Sequence, residues 1–201
     1  ANDANAFSAI NVLEEIINFP LISEGRAFQI GASLQNRVYW KNGFYSLINL
    51  NIGQLKYLGS DNIWREGRFN HQYLLNATVG KEWSGTERKG KLRQFGINAR
   101  FVARGGFREM PIDLDASKAT GNSVFSLKNG FDQVLDDYVR LDLRIYRKWN
   151  AARRSNMLSL DIQNVTNHNN VFSQSYDRQR NTINYTYQLG LFPNLLYKIQ
   201  F

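Results

Sequence analysis

The closing stretch YTYQLGLFPNLLYKIQF, residues 185–201, reads with a period of two. Tyr185, Tyr187, Leu189, Leu191, Leu195, Tyr197, Ile199 and Phe201 share one parity. Thr186, Gln188, Gly190, Asn194, Lys198 and Gln200 hold the other, with Phe192 and Leu196 as exceptions. Successive side chains of a β-strand project to opposite faces, so the alternation describes one long strand with a greasy face and a mostly polar one.

The same pattern recurs upstream. Phe28, Ile30, Ala32 and Leu34 oppose Gln29, Gly31, Ser33 and Gln35, and Phe44, Ile48, Leu50 and Ile52 oppose Asn49, Asn51 and Gly53. Further along, Phe69, Tyr73, Leu75, Ala77 and Val79 alternate with Asn70, Gln72, Asn76 and Thr78, and Phe95, Ile97, Ala99 and Phe101 with Gln94, Gly96, Asn98 and Arg100. Val139, Leu141, Leu143 and Ile145 oppose Arg140, Asp142 and Arg144, and Leu158, Leu160 and Ile162 oppose Ser159, Asp161 and Gln163. These segments predict an all-β fold, an antiparallel up-and-down meander of about seven or eight long strands, each long enough to cross a membrane. An eighth strand would have to lie in residues 6–19. Residues 8–19, with Ile10, Leu13 and Ile17, read instead as a loop with some helix, and residues 1–25 as mostly an outer loop.

Connections alternate in length. Short ones hold Lys41-Asn42-Gly43, residues 84–90 and residues 150–155. Long ones, rich in Asn, Asp, Ser and Gly, span about residues 58–68, 105–136 and 167–184. Asn-Gly suits the positive φ of a tight hairpin. Short turns at one end and long loops at the other are the pattern of bacterial outer-membrane barrels. Trp40, Trp83 and Trp149 all fall at the short-turn end, where indoles favour a membrane–water boundary, so they are the expected girdle. The second parity is rich in Gly, Asn, Gln, Ser and Arg, which suits a hydrogen-bonded barrel lumen better than a face bathed in bulk water.

Composition narrows the choice. The chain has 201 residues, a formal charge of +8 and no cysteine, so disulfide and thiol chemistry are excluded. The positive charge points to anionic lipid, an anionic solute or nucleic acid. Nucleic-acid binding by stacking would interleave aromatics with Arg on one face, whereas here they mostly segregate to opposite faces, so no nucleic-acid partner is expected. The mean hydropathy of -0.45 is blind to spanning strands, in which every second residue is polar.

Several stretches then carry a resemblance. SLDIQNVTN at 159–167, NVFSQSYD at 170–177 and GLFPNLLYKIQF at 190–201, with FPLISEGRA at 19–27, YLGSD at 57–61, GGFR at 105–108 and PIDL at 111–114, resemble the end of Bacteroidetes-type TonB-dependent receptors. The resemblance covers residue 19 to the end. It implies a barrel of about 22 strands with an N-terminal plug in its lumen. On that reading, residues 1–201 are the C-terminal segment of the barrel in the cell outer membrane, with the plug absent. The function is energised uptake of a scarce solute that the sequence does not name. Implied partners are outer-membrane lipid, the barrel-assembly machinery, and the TonB complex through the missing plug. The ending also resembles the signal read by that assembly machinery, carried by Tyr197, Ile199 and Phe201. It departs from the tail of starch-utilisation-type importers. The alternative is a complete small outer-membrane barrel with a structural or adhesion role.

No catalytic motif is present: G-x-S-x-G and the phosphate-binding G-x-x-x-x-G-K-[ST] are both missing, so an enzyme is not expected and no cofactor is implied. His71 and His168 lack metal-ligand spacing, His71 falling on the outward parity near an outer rim. Asp113 and Asp115 read as turn formers rather than calcium ligands. Arg100, Arg104, Arg140 and Arg144 share the inward parity. They form a basic ladder that either meets an anionic solute or a plug, or pairs with Asp142 and Asp161 as a structural network.

Overall fold

The computed structural model describes residues 8–12, 23–40, 42–85, 92–151 and 154–201. Its strands, in chain order, are β1 (Arg26–Tyr39), β2 (Phe44–Leu58), β3 (Trp64–Glu66), β4 (Tyr73–Ser84), β5 (Leu92–Arg104), β6 (Arg108–Glu109), β7 (Gln133–Val134), β8 (Tyr138–Ala151), β9 (Arg154–Gln163), β10 (Val171–Asp177), β11 (Thr182–Tyr187) and β12 (Phe192–Gln200). One helix, α1 (Leu114–Thr120), lies between β6 and β7.

The long strands form one antiparallel up-and-down sheet in the order β1-β2-β4-β5-β8-β9-β12, with β3 folded back on β2. The register joins the parities across every seam: Leu34 faces Leu50, which faces Leu75, which faces Ala103, which faces Val139. Ile145 likewise faces Leu160, and Leu160 faces Leu195. At mid-height one face is therefore aliphatic from edge to edge, and the other is mostly polar. Because the period is two, a single residue of slip in any seam would have mixed them.

The sheet stays open. β1 and β12 form its two edges, and both are exposed along their lengths. At the first short turn, Gly43 has φ +77°, and an added Cβ would lie 2.2 Å from the Glu82 carbonyl oxygen, so the turn requires glycine. Asn42 accepts the Phe44 amide through Oδ1 at 3.3 Å and finishes the hairpin.

The final segment corrects the sequence reading. Residues 185–201 are not one strand. Tyr185 and Tyr187 belong to β11, which pairs only with β10, and β12 begins at Phe192. Between them, the Asn167 side chain accepts the Leu191 amide at 2.9 Å and seats against Gly190, so the chain turns there despite the unbroken alternation. The β4 segment is also shorter than the alternation suggested. Phe69 and His71 precede β4, held in a tight turn by Asn70, Gln72 and neighbouring amides.

At the long-loop end, three excursions pack into a single cap. Arg65 donates Nε to the Lys128 carbonyl at 3.0 Å, and Gly130 lies against Tyr57 and Arg65. Arg108 reaches the Asn70 and Phe131 carbonyls at 3.2 and 3.3 Å. Gln133 and Gln174 donate to each other at 2.9 Å, tying the second excursion to the third. Of residues 8–19, the described part is a 3₁₀ turn, Ala9–Asn11, and the Asn11 side chain accepts the Arg68 amide at 2.8 Å, at this same end. Leu13 and Ile17 lie outside the described residues.

Candidate functional site

The polar face of the sheet is cross-linked. Arg144 forms a bidentate ion pair with Asp161, its Nη2 donating to Oδ2 at 2.8 Å. Arg140 donates Nε to Asp142 Oδ1 at 2.6 Å, and the same oxygen accepts the Asn164 amide at 2.9 Å. Arg100 lies opposite Asp142 in the register, and its Nε reaches Asn76 Oδ1 at 3.4 Å. Arg104 has no carboxylate in reach among the described residues. Its guanidinium lies 3.7 Å over the Phe107 ring and 5.1 Å from that of Tyr138. All four arginines thus share one face, two held by carboxylates and one by aromatic rings. Arg100, Arg140, Arg144, Asp142 and Asp161 line an open recess of about 340 Å³.

Two tyrosines on this face were not singled out in the sequence. Tyr45 of β2 lies across Gly80 of β4 and donates its hydroxyl to Asn98 Oδ1 of β5 at 2.7 Å. Tyr146 of β8 lies across Gly96 of β5 and donates to Glu82 Oε2 of β4 at 2.7 Å. Each ring covers the glycine of the neighbouring strand and bonds to the strand beyond, so each ties three strands together. The readable signal was a tyrosine on the polar parity at the same depth as a lone glycine.

On the apolar face, aromatics gather at both ends. At the short-turn end Trp40 packs edge-on to Phe44 with centroids 5.2 Å apart, Trp83 lies 5.7 Å from Phe95, and Trp149 stacks 6.1 Å from Tyr197. Under that last pair Asn156 is buried, accepting from the Tyr197 hydroxyl at 3.1 Å. At the long-loop end Phe28 and the fourth tryptophan, Trp64, lie 5.3 Å apart. Tyr197 therefore has a second role beside its expected one in the terminal signal. Ile199 lies next to it on the same face of β12, and Phe201 follows the strand, fully exposed.

In the cap, Asp61 holds Arg65 at 2.9 Å, and the guanidinium pulls the Asp61 carboxyl down to about 2. Burial pushes the His71 imidazole below its ordinary value, assisted by nearby Arg104. The ring stands edge-on to Phe107, and its Nδ1 has no partner among the described residues. Burial pushes Glu109 up. Asp113 caps α1, accepting the Ala116 amide at 3.0 Å, and Asp115 reaches only Lys118, so the pair acts as turn chemistry. No cluster of three or more metal-binding side chains occurs among the described residues.

Within the stretches that carry the family resemblance, two asparagines hold the backbone in place. Asn164 caps the turn after β9 through the His168 carbonyl and amide, and Asn170 grips Val139 by both its amide and its carbonyl at 2.8 Å. No helix among the described residues is long and apolar enough to cross a membrane, which says nothing of strands. Comparison with family models, curated proteins and solved structures returned no match.

Proposed function

We propose that the chain is the C-terminal wall of an outer-membrane β-barrel of the TonB-dependent transporter type, serving energised uptake of a solute. The observation that carries the membrane part is the dressing of the apolar face. From Phe28 in β1 to Trp40 just after it, and from Tyr73 to Trp83 in β4, mostly aliphatic side chains lie between aromatic ends, with Asn36 and Lys81 near the short-turn end. Ten to twelve residues at about 3.3 Å each span roughly 33–40 Å, the thickness of a bilayer with its interfaces. Charges on this face, at Arg26, Lys56, Glu66, Lys81, Arg93, Arg147 and Arg154, stand near the strand ends, Lys56 and Glu66 as an ion pair, and the long cationic side chains can reach a polar interface there. The opposite face, glycine-spaced and ion-paired, suits a lumen.

Both edge strands leave unpaired backbone. In hydrocarbon each such group costs several kcal/mol, so the reading requires further strands to close the barrel. The transporter class rests on the resemblance of residues 159–177 and 190–201. An outward long-loop cap and an inward short-turn end follow from it.

The test is Leu143→Arg and Leu160→Arg, both at mid-height on the apolar face. Each should cost about 2–4 kcal/mol when the full-length protein folds into lipid bilayers, measured by denaturant titration. Full tolerance of both would sink the membrane reading.

A further inference from the structure

At the short-turn end of the apolar face, Lys81, Arg93, Arg147 and Arg154 stand together on β4, β5, β8 and β9. The carboxylate at this end among the described residues is Glu82. It faces the opposite side, where it accepts from Gln94 and Tyr146. None of the four cations makes an ion pair among the described residues. They interleave with the aromatic row: Arg147 sits between Phe95 and Leu158 in the register, Arg93 lies opposite Trp149, and Lys81 lies 5.4 Å from the Trp83 ring.

An open groove of about 620 Å³ runs from this row down the face. Arg93, Arg147 and Trp83 line its upper part, and Ile145, Leu160 and Leu195 its floor. Arg93 and Arg147 are diagonal cross-strand neighbours, a spacing of about 7–8 Å between backbones. Two guanidinium groups so placed can flank one phosphate, each offering paired N–H donors. The floor is aliphatic and long enough for the first part of an acyl chain.

We infer that this groove is a binding site for an anionic glycerophospholipid. The phosphate lies between Arg93 and Arg147, its headgroup at the level of Trp83 and Trp149, and an acyl chain on Ile145, Leu160 and Leu195. Charge complementarity commits the site to an anionic lipid: a zwitterionic headgroup would bring a cation to a row of cations that have no carboxylate partner among the described residues. The inference rests on the membrane reading above. It goes further in fixing which lipid the wall selects and where. Functionally the site would anchor the short-turn rim at a set height in the leaflet and hold β5, β8 and β9 to a common lipid neighbour.

The experiment uses the full-length protein with every tryptophan except Trp83 and Trp149 replaced by Phe, Trp40 and Trp64 among them, so that those two are the reporters. It is reconstituted in phosphatidylcholine bilayers doped with brominated phosphatidylglycerol or, in parallel, brominated phosphatidylcholine, and indole quenching is measured. We expect phosphatidylglycerol to be preferred at the site by about five-fold or more, since each basic side chain near an anionic surface contributes about that factor. Arg93→Gln/Arg147→Gln should bring the two lipids to parity, and Arg93→Lys/Arg147→Lys should keep most of the preference. Salt at about 1 M should reduce it in the parent, since the Debye length falls to about 3 Å. Equal quenching by both lipids in the parent overturns the site and leaves the membrane reading standing. A preference that survives the glutamine pair, or, should that variant fail to assemble, one indifferent to salt, also overturns it. Absence of quenching by either lipid overturns the membrane reading and the site together.

Discussion

On the long sheet, Leu34 and Leu195 are 68% and 70% exposed, while Ser159 on the other face is 1% exposed. In the cap at the end of the same sheet, Leu135 and Ile112 are buried, and Lys118 and Arg180 point outward. Along the strands apolar side chains point outward, whereas the cap buries Leu135, Ile112 and Val171 and leaves Ile63, Phe125, Val134 and Phe172 exposed at its surface. On the proposed reading the two regions meet different media, hydrocarbon and water, and each hides what its medium rejects. The cap is also richer than the sheet's apolar face in buried polar groups held by side-chain bonds, with Arg108, Asn170 and Gln174 against Asn156. A loop cluster in water must use side chains to satisfy the backbone that its short ladders, β6–β7 and β10–β11, leave unpaired.

The comparison breaks most decisively with one chemistry placed in both regions. Leu135→Ala in the cap leaves a cavity and should cost about 2–5 kcal/mol. Leu50→Ala on the apolar face leaves none, since lipid can fill the space, and should cost about 1–2 kcal/mol, the transfer of the lost methyl groups alone. Denaturant unfolding from bilayers, with hydrogen exchange reading the cap separately, checks both. Equal costs would mean the two regions share a solvent.

A smaller effect locates tight packing within the sheet. An alanine Cβ at Gly96 would lie 2.2 Å from the Tyr146 ring, so Gly96→Ala must displace the ring and its bond to Glu82. It should cost about 1–3 kcal/mol. Gly85→Ala, where the nearest atom is 3.4 Å away, should be close to neutral. If both are neutral, the polar face is loosely packed.

The smallest expected effect is the cap's response to acid. The Asp61 carboxyl sits at about 2, below its unfolded value of about 3.9. A depressed carboxylate contributes stability that is present above the unfolded value and lost as pH falls from about 4 towards 2. His71, pushed down by burial, contributes in the same direction, its share fading as pH falls below about 6.5, the ordinary imidazole value. Glu109, pushed up, works the other way and gains on acidification. Amide protection across residues 59–66, taken relative to the intrinsic exchange rate at each pH, should therefore fall between pH 4 and 2. Asp61→Asn should flatten that window while exchange in β5 and β8 stays unchanged.

Much of the sheet was legible because alternation is local. Ile145 and Leu160 announce their face from their neighbours in sequence, and the register merely aligns them. The break before β12 was not legible for the same reason. Parity continues across Leu189 and Leu191, and what turns the chain there is the Asn167 side chain, 24 residues away from the amide that it accepts. The arginine ladder was visible as a set, but its division was not: Arg140 takes Asp142 on its own strand, Arg144 reaches Asp161 across the β8–β9 seam, and Arg104 finds rings contributed by Phe107 and Tyr138. Asn164, Asn167 and Asn170 stood out as part of a resemblance, while their work, gripping turns and the start of β8, is non-local hydrogen bonding that no spacing rule encodes.

The tyrosine-and-glycine pairs have a consequence for how the sheet finds itself. A slip of two residues at a seam keeps every side chain on its proper face, so the apolar pattern is deaf to it. Tyr45 is not. Two positions either way it would meet Thr78 or Glu82 in place of Gly80, and Tyr146 would meet Gln94 or Asn98 in place of Gly96. The ring fits over hydrogen and over nothing larger, so these two sites act as a keyed lock that proofreads the even-numbered errors alternation alone lets through.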